Sequence, residues 1–446
     1  MKFGKLATVL SILSVTFAAV ACGSENDGPD SPAVPDTPAE ATAARSNIVY
    51  QVNPRFYGEG DCLKKVTADI PRIASMGCDV LWVMPVYELG QKNSIGSPYC
   101  IKDYKQVSSH LGSNDDLKTL VSTAHANGMK VILDWVANHT AWDHVWTETN
   151  PERYKKDANG NIASTPMWGD VAQLDYNVAS TREGMKDAMI YWVNTADVDG
   201  FRCDYAEGVP HTFWKDVIAE LKKIDPNIIM LAETSQTAFY DDGFDMVYDW
   251  NFPSNAKTLF GGGKTSNMIN YITESNAKVP EGKTIMRYAF NHDVASENDV
   301  ARMYATPEGT RAAYVIAVFS GGTPMIYSSM DVEGLSGKLS FFNHRDLKFS
   351  ETLTSEYKAI NNAFKQTAVA RGGKFRSYAN TDAVMMAWEN GKKTVLVAVN
   401  PTAQAKNVKT PIALTGEEMT DLISGSTKKL GATMDIPAYG YLIFSR

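Results

Sequence analysis

The chain has 446 residues, enough for one large domain with satellites and a well-buried core. An apolar fraction of 44% and a charged fraction of 21% exclude disorder of the whole chain. A formal net charge of -8 excludes nucleic acid and other polyanions as partners, since both demand concentrated Lys and Arg, and leaves a neutral ligand as the best fit. Twenty Tyr and nine Trp offer flat faces of the kind sugar binders use, although any single ring is more often core or plain surface.

Lys2, Lys5, the apolar run Leu6 to Val20 and the small residues Ala19-Val20-Ala21 read as a secretory signal over residues 1–21, too short to span a membrane. The small residues before Cys22 resemble the lipobox of bacterial lipoproteins, with Ala19 standing where Leu is commonest. That resemblance implies a lipid on Cys22, which then begins the mature chain. Residues 22–46 are rich in Pro, Ala and Asp and read as a flexible tether. Its start, Gly23-Ser24-Glu25-Asn26-Asp27, is similar to the surface-export signals of some Gram-negative lipoproteins. The expectation is an extracytoplasmic protein, lipid-anchored to the outer membrane or cell surface. Four further cysteines follow. Cys78 and Cys203 fall in or beside strands and read as buried small hydrophobes. Cys62 and Cys100 fall in loops after strands, where an oxidising compartment permits a bond between them.

From Asn47 onward, eight short apolar runs alternate with amphipathic stretches: Ile48 to Val52, Val80 to Met84, Val131 to Trp135, Gly200 to Cys203, Ile228 to Ala232, Met246 to Tyr248, Thr284 to Phe290 and Pro324 to Tyr327. Their length and β-branched or aromatic content predict strands buried on both faces. Helices are predicted over Asp115 to Ala126, Thr181 to Asn194, Thr212 to Lys223, Gly309 to Phe319 and Ser355 to Ala368. Strand and helix in such alternation predict an α/β fold, a (β/α)8 TIM barrel over residues 47–140 and 178–370. A small inserted subdomain at 141–177, rich in Trp, Asn, Asp and Gly, interrupts it after the third strand, and loops of that length are usually functional. Beyond Arg371 the pattern turns to strands without helices, predicting a C-terminal antiparallel β-sandwich domain at 371–446.

Polar residues at the C-terminal ends of barrel strands carry chemistry in this fold. The third strand ends in Asp134-Trp135-Val136-Ala137-Asn138-His139, the fourth carries Arg202 and Asp204, the fifth ends in Glu233 and the seventh runs into Asn291-His292-Asp293. An Arg and an Asp two residues apart in a strand point the same way. An Asp beside a guanidinium is expected to stay ionised, as a carboxylate nucleophile must. Glu233, after an apolar run, is expected to have a raised pKa. Singly, each acid reads as a cap or surface group. Three strands delivering Asp204, Glu233 and Asp293 to one rim, with two His and an Arg, make that reading poor.

These motifs resemble those of the α-amylase family, glycoside hydrolase family thirteen. Asp134 to His139, Gly200 to Asp204, Glu233 and Phe290 to Asp293 match its four signatures. Leu174-Asp175-Tyr176-Asn177, Gly322 to Tyr327, Tyr50-Gln51 and Pro98-Tyr99 are similar to others. The resemblance implies that Asp204 is the nucleophile, Glu233 the general acid and base, and Asp293 the stabiliser of an oxocarbenium-like transition state. It further implies that His139, His292 and Arg202 serve the sugar being cleaved, that Tyr99 stacks on its ring, and that Asp134 supports them. A structural Ca²⁺ at Asn138 and Asp175 is implied too, with no organic cofactor. Two departures stand out: Tyr205-Ala206-Glu207-Gly208 replaces the usual Lys-His after the nucleophile, and Ser328-Ser329-Met330-Asp331 replaces Gly-x-Glu. The expected activity is retaining hydrolysis of α-1,4-glucosidic bonds in starch or maltooligosaccharides. The alternatives are transglycosylation, pullulan or cyclodextrin specificity, or a non-catalytic glucan-binding surface lipoprotein.

Overall fold

The eight apolar runs become eight parallel strands, Val49–Val52, Val80–Val83, Lys130–Val136, Gly200–Asp204, Ile229–Ala232, Met246–Tyr248, Thr284–Tyr288 and Thr323–Tyr327, closed into a barrel by pairing of the first with the eighth. The computed structural model describes residues 47–446, so the signal, Cys22 and the tether lie outside the described residues. Among the described residues no helix is long and apolar enough to cross a membrane. Alternation along each strand divides two layers. Val49, Trp82, Ile132, Leu231, Tyr248, Met286 and Met325 fill the barrel interior, while Leu81, Leu133, Phe201, Met230 and Ile326 face the surrounding helices in a larger core.

The expected helices form as Asn114–Ala126, Ala179–Ala196, His211–Ile224, Pro307–Phe319 and Glu351–Gln366. The first is fixed by a capping box, Ser113 accepting from the Asp116 N–H while the Asp116 carboxylate accepts from the Ser113 N–H. Helices at Cys62–Ser75, Phe252–Phe260 and Thr265–Asn276 were not among those expected. Pro71 inside the first of them hides its periodicity, because proline removes a helix hydrogen bond and normally marks an end. Past the eighth strand and its helices lies a six-stranded antiparallel sheet, faced by the ribbon Lys406–Lys409 and Thr433–Ile436 across a core of Met385, Leu396, Leu414, Met419, Ile436 and Phe444. In this sheet Tyr441–Ser445 sits centrally, between Lys393–Val399 and Glu418–Asp421.

The four cysteines are free and buried, so the bond expected between Cys62 and Cys100 does not exist. Cys62 opens a helix instead of lying in a loop, and its thiol donates to the Gly58 carbonyl at 3.2 Å; Cys100 donates to Asp170 O at 3.7 Å.

The fourth strand begins with a glycine that its neighbour requires. A Cβ on Gly200 would stand 2.0 Å from the Ile229 carbonyl oxygen in the fifth strand. Gly200→Ala is therefore expected to cost about 1–3 kcal/mol, as overpacking does. Urea unfolding checks this, and an unchanged midpoint would show that the two strands can part without penalty.

Candidate active site

Inward alternation sends Arg202 into the barrel, fully buried, while Phe201 and Cys203 face the helices. The register pairs Asp134 with Arg202 and Val136 with Asp204 across strands three and four. The guanidinium is then shared. Its Nη1 donates to Asp134 Oδ1 at 2.7 Å and to Asp204 Oδ1 at 2.9 Å, and Nε donates to the Tyr248 hydroxyl at 3.0 Å. Its Nη2 lies 2.6 Å from Glu233 Oε1. The rings of Trp82 and Tyr248 flank it at 5.1 and 5.6 Å. Glu233 follows the fifth strand, and its peptide N–H donates to Cys203 O at 3.0 Å, which ties the two strand ends together. Asp293 stands in the first turn of the short helix His292–Glu297, capped by Asn291, whose side chain accepts from the Val294 N–H and donates to Asp293 Oδ2. Side-chain exposures of 13% for Asp204, 14% for Glu233 and 35% for Asp293 place all three at the surface of one cleft of about 870 Å³.

One cation among four acids sets the electrostatics. Burial raises Asp134 to about 6, Asp204 to about 7, Glu233 well above the usual carboxyl value and Asp293 upward, while Arg202 pulls each back. The shift of Glu233 has the upward direction expected for it, which favours its protonated form. For Asp204 desolvation outweighs the guanidinium, so it does not stay fully charged at neutral pH as its neighbour alone would dictate. With these groups coupled, a proton on Glu233 removes one negative charge and favours ionised Asp204.

The other predicted residues fall into two groups. His139, Tyr99 and His292 line the same cleft. Gln51 Nε2 meets His292 Nδ1 at 2.8 Å, His292 Nε2 meets the Tyr99 hydroxyl at 2.8 Å, and that hydroxyl donates to Asp134 Oδ2 at 3.2 Å. An amide donor on Nδ1 leaves the ring proton on Nε2. Burial lowers His292 well below its ordinary value and His139 to about 4, so both are neutral donors or acceptors near pH 7. Asp134 is fully buried beneath the cleft and, with Trp82 Nε1 donating to Oδ2 at 3.1 Å, supports rather than lines it.

Asn138 and Asp175 stand outside this cluster. Asn138 turns Nδ2 to His139 Nδ1 at 3.1 Å, with Oδ1 against Gly208, and Asp175 Oδ1 accepts from both nitrogens of Asn177. Such oxygens suit Ca²⁺. Among the described residues no three His, Cys, Asp or Glu side chains gather as a metal site, so backbone carbonyls and water would have to complete the shell of an ion there.

The cleft also holds Tyr205, which opens the departure noted after the nucleophile, and residues given no role from the sequence: Trp168 from the excursion, Trp250 after the sixth strand, and Phe341 with Phe342 beyond the eighth. Only Trp168 had a signal, the Trp-rich composition of its segment. Phe341 lies in an irregular stretch without periodicity, yet packs 4.8 Å from the His292 ring.

Residues 35–161 match the model of the alpha amylase catalytic domain. The chain is 29% identical over 313 residues to the alpha-amylase MalA of Haloarcula japonica, covering 66% of this chain and 45% of that protein. It is 22% identical over 431 residues to a cyclomaltodextrinase of Geobacillus thermopakistaniensis, covering 87% and 71%. It thus spans less than half of the first relative's length. The crystal structure of the noncanonic maltogenic alpha-amylase AmyB of Thermotoga neapolitana superposes with a TM-score of 0.79 at 25% identity, over 90% of this chain and 99% of that one.

Proposed function

For an enzyme with an alpha-amylase-type glycosidase domain, as the domain match and relatives support, we propose retaining hydrolysis of α-1,4-glucosidic bonds in starch or maltooligosaccharides. The observation that carries the reading is the single buried guanidinium holding both Asp204 and Glu233 at the cleft floor. Two carboxyls gripped by one planar fork favour the close spacing, about 5–5.5 Å, at which one acid attacks directly; a general base working through water needs about 6.5–9.5 Å.

The steps follow from the protonation states. Neutral Glu233 gives its proton to the leaving oxygen as the Asp204 carboxylate bonds to the anomeric carbon. Glu233, now charged, takes a proton from water as water breaks the ester. Asp293, the most exposed of the three acids, faces the developing positive charge and the ring hydroxyls, with His292 and His139 as neutral partners. Tyr99 presents its ring to the sugar.

The cleft's charge bears on the acceptor. Beyond the three catalytic acids it is lined by Asp170, Glu207 and Glu297, and Lys257 is the only Lys or Arg lining it among the described residues. An anionic acceptor such as a sugar phosphate is thereby disfavoured, and water or a neutral sugar fits. Incubation with starch, pullulan and maltotriose, with chromatography of the products, tests the proposal. Maltooligosaccharides from starch are expected; absence of reducing-sugar release from all three would overturn it. Longer products than the substrate would mark transglycosylation, the second reading.

A structural Ca²⁺ held by Asn138 and Asp175 is part of the proposal. Chelation with EDTA is expected to lower Tm by several degrees, at about 4 °C or less per kcal/mol for a chain of this size; an unchanged Tm would remove the ion. The lipid on Cys22 and the extracytoplasmic location are likewise proposed, on the amino-terminal motifs alone. Labelled fatty acid incorporated by the wild type and not by Cys22→Ala is the expected result.

A further inference from the structure

The stretch that follows Asp204 folds back onto the end of the strand that carries Glu233. Tyr205 takes φ 38° and ψ 53°, a left-handed conformation that residues other than glycine hold only where their surroundings fix it. The short turn Ala206–Gly208 comes next. It is fastened by the surrounding helix His211–Ile224, from which the buried Trp214 Nε1 donates to Ala206 O at 3.0 Å.

Three hydrogen bonds join this stretch to the end of the fifth strand. The Glu233 N–H donates to Cys203 O at 3.0 Å, and the Tyr205 N–H donates to Glu233 Oε2 at 2.5 Å. The third comes from the next residue along, where the Thr234 hydroxyl donates to Glu207 Oε1 at 2.5 Å. Thr234 is fully buried and its oxygen already accepts from the Gln236 N–H at 3.0 Å, so its one proton is committed to Glu207. A lysine at that place, with donors alone, could not receive it. The Thr234 carbonyl in turn accepts from the Tyr248 N–H at 2.9 Å, and the Tyr248 hydroxyl accepts from Arg202 Nε. The residue beside the general acid is thus held both from the sixth strand and from Glu207.

We infer that Glu207 is a positioning residue for Glu233, acting through the Thr234 hydroxyl to hold the acid where it meets the leaving oxygen. The inference rests on the glycosidase reading above. Proton transfer to the leaving oxygen demands hydrogen-bond reach, and a displacement of about 1 Å at such a group can cost about 100-fold. The Glu207 carboxylate faces the cleft yet spends an oxygen on a buried hydroxyl, which ties the stretch carrying the nucleophile to the stretch carrying the acid.

The test measures kcat/KM, which reports the step that expels the leaving group, on maltotetraose and on α-maltosyl fluoride, whose fluoride departs without a proton from Glu233. For Glu207→Ala the value on maltotetraose is expected to fall about tenfold further than the value on the fluoride. Glu207→Gln, which keeps an acceptor oxygen, should recover part of the difference. Thr234→Val removes the donor at a buried position that no sugar touches, so it should show the same selective loss. Combining Glu207→Ala with Thr234→Val should cost no more than either alone. Equal losses on the two substrates, or no loss on either, would overturn the inference. So would a selective loss in Glu207→Ala that Thr234→Val does not share, since Glu207 would then act on the sugar itself. Should Thr234→Val fail to fold by its thermal melt, Glu207→Gln decides, and a selective loss as deep as that of Glu207→Ala would count against the bond. A wild type inactive on both substrates would instead sink the glycosidase reading, and the positioning role with it.

Discussion

Asp204→Asn is expected to lower starch hydrolysis by about four orders of magnitude, while the variant folds and melts at a higher temperature than the wild type at pH 8. The activity loss follows from the proposed role of Asp204 as the carboxylate that bonds to the anomeric carbon. The gain in stability follows from the charge balance at Arg202, where one cation serves several buried acids. Asp204 in the folded chain is raised from 3.8 to about 7. The native state thus binds its proton more tightly than the unfolded chain does. Its contribution is most favourable below pH 4 and is lost as pH climbs through 7. The amide carries no charge to bury, so the difference in Tm should be present at pH 8 and vanish by about pH 4. Retained activity would reject Asp204 as nucleophile, and a lower Tm at pH 8 would reject the account of the site's charge.

Arg202→Met is expected to give the largest loss of stability in the molecule, about 3–5 kcal/mol at pH 8, together with loss of activity. The side chain is fully buried, and its removal strands Asp134, Asp204 and Glu233 without a counter-charge. Methionine keeps most of the volume, so the effect is electrostatic rather than a cavity. Two checks separate these causes. The deficit in urea unfolding should shrink toward pH 5, where the raised carboxyls take up protons. Adding Asp204→Asn to Arg202→Met should restore part of the stability, which a packing defect would not allow. A deficit independent of pH would sink the argument.

The positions of the strands and the identities of the acids were legible in the chain, because buried parallel strands read as short β-branched runs and polar residues at their ends stand out against them. The Arg202 and Asp204 pair was legible for the same reason: two charges inside an apolar run demand partners. What the chain did not give up was the magnitude of burial. Local sequence places Asp204 beside a guanidinium, but only the folded site shows Asp134 and Glu233 competing for that same cation. Pro71 masked a helix, and Cys62 and Cys100, between which a bond was expected, are free and buried, as are Cys78 and Cys203, which read as buried small hydrophobes from the start. The aromatic cleft residues Trp250 and Phe341 were illegible because loops carry no period to read.

The pairing of the first barrel strand with the eighth, and the central place of Tyr441–Ser445 in the terminal sheet, bear on how the molecule is made. A ribosome delivers Val49–Val52 long before Thr323–Tyr327, so the nascent sheet carries two open edges through most of synthesis, and such edges template aggregation. The last sheet waits longer still, since its middle strand, Tyr441–Ser445, is translated after both of the strands it joins. Synthesis halted before Tyr441–Ser445 would leave that sheet split into two unjoined parts.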